Sequence, residues 1–84
     1  FLVWLGMGAG HAPHHVTREW SDAYAGRFDA GWHEWRRATL ERQIALGVVP
    51  EGTELPTPSP HVPDWDDVDP DQRRVAARMM EVYA

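Results

Sequence analysis

Lysine and cysteine are both missing from this chain of 84 residues. All eight basic residues are arginine, which excludes Schiff-base chemistry, a P-loop lysine and an ammonium anion clamp within it. Without cysteine there is no disulfide framework, no thiolate metal site and no cysteine nucleophile. Long hydrophobic runs are lacking as well. The apolar stretch from Phe1 to Gly10 is too short to span a bilayer. It has the length of the apolar core of a secretory signal, although no basic region precedes it. Positive charge is scarce, and a net charge of −5 argues against a nucleic-acid partner, which needs a surplus of cations.

What is present suits one small globular unit, with 43% hydrophobic and 25% charged residues. Phe1 to Leu5 is a continuous apolar run that predicts a strand buried on both faces, as in a parallel sheet. Gly6, Gly8 and Gly10 end it in a turn, and His11-Ala12-Pro13-His14-His15 follows as a polar loop. A short helix is expected from Arg18 to Tyr24, stopped by Gly26. A longer one is expected from Gly31 to Leu46, closed by Gly47. Its apolar residues Trp32, Trp35, Leu40 and Ile44 fall at helical spacing, and Glu34, Arg37, Glu41 and Arg42 make a solvated face.

Between Val48 and Asp69 stand Pro50, Pro56, Pro58, Pro60 and Pro63, a density that leaves no regular element. Such a long connection either wraps the surface of something larger or is a linker. Asp69-Pro70-Asp71-Gln72 is a helix start, and Val75, Ala76, Met79, Met80 and Tyr83 give the helix one apolar face. The expected fold class is α/β: one core strand, a loop, and about three helices with a long Pro-rich connection. A strand alone cannot satisfy its own backbone groups, and the last helix reaches Ala84 without a stop signal. The chain therefore reads as a fragment.

Chemistry concentrates in the loop. His11, His14 and His15 are a possible transition-metal cluster through neutral imidazole. Against that, Pro13 prevents a helix that would align them, and no carboxylate is near. The plain alternative is loop histidines that pack or meet solvent. Ligand sites in open α/β sheets lie beyond the carboxyl ends of strands, where His14 falls. A histidine there can donate to an anionic ester oxygen or protonate a leaving group. Trp20, Trp32, Trp35 and Trp65 fit a carbohydrate or aromatic-ligand platform, but their helical spacing favours core packing. Asp64, Asp66, Asp67, Asp69 and Asp71 suggest calcium. They lack the spaced loop with its glycine and terminal glutamate, and capping plus solvation accounts for them.

The order of these residues resembles bacterial arylsulfatases, the type I sulfatases. The resemblance is carried by Phe1-Leu2-Val3-Trp4-Leu5 leading through glycines to His11-Ala12-Pro13-His14-His15-Val16, where the family has an alanine-proline-histidine signature. It continues through Arg18-Glu19-Trp20, Tyr24 to Trp32, Arg42-Gln43, Leu46 to Pro50, Pro63 to Asp66 and Met80 to Ala84. The resemblance implies an alkaline-phosphatase-like α/β fold and a small-molecule sulfate ester as substrate. It implies hydrolysis by a formylglycine beside a calcium ion, and His14 as the histidine that contacts the sulfate. Residues 1–16 would then be a core strand and substrate-site loop, and residues 17–84 a mostly helical insertion.

Departures bound that implication. Neither Ser21 nor Ser59 opens an S-x-P-x-R motif, the family's lysines have no counterpart, and Thr17 stands where members often have proline. No catalytic residue and no metal ligand is assigned. Calcium would be held by residues outside this segment, and the remainder of a parent chain would be its partner. The segment alone would be inactive. A competing reading is a small helical interaction module without catalysis, using its tryptophans and methionines to bind a partner.

Overall fold

The computed structural model describes residues 1–6 and 10–84. Gly8, the middle glycine of the expected turn, lies outside the described residues. The regular elements among the described residues are α1 (Arg18–Asp22), α2 (Gly31–Ala45), a 3₁₀ turn (Trp65–Asp67) and α3 (Pro70–Tyr83).

The expected strand over Phe1–Leu5 is not formed. Residues 1–6 have no regular structure, and all five apolar side chains are exposed, Trp4 by 92%. A strand must pass its N–H and C=O groups to a neighbouring strand, and none of the described residues supplies one. Among the described residues the chain is helical rather than α/β.

The helix ends follow local chemistry. Asp69 caps α3, its Oδ1 accepting from the Asp71 N–H at 2.9 Å and the Gln72 N–H at 3.4 Å, with Pro70 in the first turn. Beyond α2, Gly47 takes φ 68° and its N–H donates to the Ile44 carbonyl at 2.9 Å. α1 is shorter than expected. Tyr24, Ala25 and Arg27 each donate to the carbonyl three residues back, and this succession of turns swings Phe28 inward.

Phe28, Trp65 and Ala77 are buried, with Tyr24, Trp32, Ala76 and Met80 packed around them. The two indoles of Trp32 and Trp65 meet edge-on with centroids 4.6 Å apart, and Trp32 Nε1 donates to the Pro63 carbonyl at 3.1 Å. Trp65 also lies flat against Gly31, where an added Cβ would stand 2.2 Å from its Cδ2. With φ at +80° as well, the position accepts only glycine.

One expectation about the second half is corrected. The Pro-rich stretch does carry a regular element, the 3₁₀ turn that presents Trp65, because the prolines stop at Pro63 and leave residues 64–69 free to coil. Within this chain the connection stays in contact with α2. It returns along α2, where Arg36 donates to the Pro56 carbonyl at 3.0 Å.

The inward face of α3 is rotated from the expected one. Ala77 and Glu81 are buried, whereas Val75, Met79 and Tyr83 are exposed. The core is correspondingly thin. The chain exposes 7096 Å², against roughly 5,100 Å² for a compact protein of its mass.

Candidate functional site

Of the three loop histidines, His14 is half-buried and His11 and His15 are exposed. The His14 ring meets Tyr83 edge-on, with centroids 6.1 Å apart and planes at 73°. That contact ties the loop to the last turn of α3. His11 instead turns on its own loop, its Nδ1 lying 2.7 Å from the Ala12 carbonyl oxygen. The Ala12–Pro13 peptide is cis. Among the described residues no three His, Asp or Glu side chains gather where they could hold a metal ion.

His14 forms one edge of an open groove of about 460 Å³. Its walls are Phe28 from the turn, Trp35 from α2, and Met79, Met80 and Tyr83 from α3. Phe28 and Trp35 pack against each other at 4.6 Å, which fixes one wall. The groove exists because α3 turns Ala77 and Glu81 to the core and leaves Met79 and Tyr83 outward.

Most of the remaining sequence candidates have structural employment. Asp69 caps α3, Asp71 pairs with Arg74 at 2.6 Å, Asp66 faces Arg73 at 3.6 Å, and Asp64 faces His33 at 3.8 Å. Trp32 and Trp65 are core. Trp35 packs at a tilt on Phe28, with the Arg42 guanidinium 5.5 Å from its ring centroid, and only Trp20 of the four stands exposed without a packing role in the core. Ser59 Oγ accepts from the His61 N–H at 3.3 Å. The α2 charges stay at the surface, where Arg37 pairs with both Glu34 and Glu41.

Sequence reasoning missed a polar clamp between α1 and α3. Arg78 donates to the Asp22 carboxylate at 2.5 Å, to Ser21 Oγ at 2.8 Å and to Glu81 at 2.7 Å. Ser21 Oγ in turn donates to the Arg18 carbonyl at 3.0 Å. Glu81, only 6% exposed, accepts from the Gly26 N–H at 2.7 Å through its other oxygen. The Arg78 hydrogen bond, then the Gly26 N–H, hold the Glu81 carboxyl below its usual range, and burial opposes them. The i, i+3 spacing of Arg78 and Glu81 was legible as a helix pair. Nothing local linked it to Ser21 and Asp22. Every buried side-chain polar atom among the described residues has a partner.

No family model matches the sequence. The chain is 32% identical over 86 aligned residues to an arylsulfatase of Klebsiella aerogenes, covering 99% of the chain and 18% of that protein. It is 33% identical over 86 aligned residues to an uncharacterized sulfatase of Schizosaccharomyces pombe, covering 100% of the chain and 15% of that protein. It thus spans less than a fifth of the length of either relative. Both similarities run from one end of the chain to the other, and the chain is a sulfatase-related segment.

Proposed function

We propose that the chain is part of a sulfate-ester hydrolase and that His14 contacts the sulfate group of the substrate. The observation that carries this reading is the end-to-end similarity to two sulfatases. His14 adds to it by being the half-buried one of the three loop histidines, seated beside an open groove. In the whole protein, Phe1–Leu5 would join an alkaline-phosphatase-like sheet, since its exposed apolar residues and unpaired backbone need neighbouring strands. Residues 17–84 would form a helical insertion beside the site.

The nucleophile and the metal fall to residues outside this segment. Neither Ser21 nor Ser59 opens an S-x-P-x-R motif, so neither is read as a formylglycine precursor. Calcium, which the sulfatase resemblance implies, would be held elsewhere in the protein. This chain's own contribution is an imidazole N–H donated to an ester oxygen as negative charge develops there. A donor of that kind acts mainly in the transition state and is commonly worth ~10²–10³ in rate.

The test is kinetic and uses the full-length protein. His14→Ala should lower kcat for an aryl sulfate by about that factor, with circular dichroism unchanged, and His15→Ala should have a much smaller effect. Equal losses would make the histidines a joint site and overturn the single-contact reading. A large loss only at His15 would shift the contact by one residue. The isolated chain of 84 residues should show only background turnover of the same ester.

A further inference from the structure

We propose that the groove beside His14 receives the carbon side of the sulfate ester, with Met79 as a specificity-determining residue. The inference rests on reading His14 as the sulfate contact. A sulfate ester joins its anion to its carbon group through one bridging oxygen. Whatever holds the anion therefore fixes the carbon group within a bond or two. From His14, the adjoining surface is the groove lined by Phe28, Trp35, Met79, Met80 and Tyr83.

That surface is suited to a flat apolar group. Its volume of about 460 Å³ falls in the range of small-molecule sites, which combine apolar walls with a few polar groups. Rings and thioethers make the walls, and none of the lining side chains is acidic, so the anion at the rim meets no like charge. Phe28 is held rigid, buried and packed on Trp35. Met79, also lining the groove, is 49% exposed, and an unbranched thioether adapts its shape to a ring laid against it. Its position on the outward side of α3 keeps it out of this chain's core.

The experiment compares Met79→Gln and Met79→Leu in the full-length enzyme, using 4-methylumbelliferyl sulfate as substrate and inorganic sulfate as inhibitor. Inorganic sulfate reports on the anion contact alone, because it has no carbon group to enter the groove. Met79→Gln should lower kcat/KM for the ester about tenfold, mainly through KM, as expected for losing one apolar contact in a pocket. Sulfate inhibition should hold, and Met79→Leu should restore most of the loss. An unchanged kcat/KM in Met79→Gln overturns the inference, and so does a parallel weakening of sulfate inhibition, which would mark a general disturbance. His14→Ala is the separate control. If it leaves sulfate inhibition unchanged, the failure lies in the reading of His14.

Discussion

Two of the contacts between elements among the described residues differ in kind. Between α2 and the 3₁₀ turn, the Trp65 indole rests on Gly31 and meets Trp32 edge-on. Between α1 and α3, the contact is the charged clamp of Asp22, Ser21, Arg78 and Glu81. The first depends on shape and removes apolar surface from water, so it is insensitive to pH and salt. The second depends on charge and direction, and its Arg78 side chain is still 42% exposed. Water and salt therefore weaken it. One joint tolerates no added atom, and the other tolerates no lost charge.

The largest expected effect tests the first joint. Gly31→Ala introduces a Cβ into the Trp65 ring at a backbone angle that alanine adopts poorly. The left-handed conformation costs ~1–2 kcal/mol and the overpacking a further ~1–3 kcal/mol. The tryptophan near-ultraviolet circular dichroism of the edge-on pair should collapse. An unchanged band would mean that the two indoles are not held by this contact.

The clamp should respond to pH. Glu81 has a depressed pKa when folded, so the stability it contributes is present above its unfolded value, near 4.5, and is lost as pH falls through the lower folded value. Glu34 shifts in the same direction through its hydrogen bond to Arg37, but that pair lies in solvent and its contribution is screened. Urea midpoints measured from neutral to acid pH should therefore fall in the wild type and fall less in Glu81→Gln. A midpoint that falls equally in both would show that the clamp does not carry the acid sensitivity. The variant should also be less stable at neutral pH, because Arg78 loses a charged partner.

The smallest effect concerns neither joint but the start of α3. Asp69→Ala removes an acceptor from two N–H groups and should cost ~1 kcal/mol. Because the cap lies between the 3₁₀ turn and the clamp, it sharpens the comparison. A loss well above that value would show that the cap also holds the two joints in register.

The sequence by itself determined the features that depend on neighbours in the chain. The Asp69-Pro70 start of α3 and the Gly47 end of α2 follow from capping and from glycine's access to positive φ, and both are where local chemistry places them. It also marked His14 as the residue to watch, through a signature whose meaning lies in a resemblance and not in spacing. Tertiary structure decided the rest. Ala76 and Met80 belong to both the apolar face of α3 and its inward face. The choice between Val75, Met79 and Tyr83 on one side and Ala77 and Glu81 on the other fell to Ser21, Asp22 and Gly26, more than fifty residues away. Small Ala77 packs into the core with Phe28 and Trp65, and Arg78 and Glu81 find hydrogen-bond partners that no helical periodicity encodes. That rotation, fixed by partners remote in sequence, is what leaves Met79 and Tyr83 outward and opens the groove beside His14.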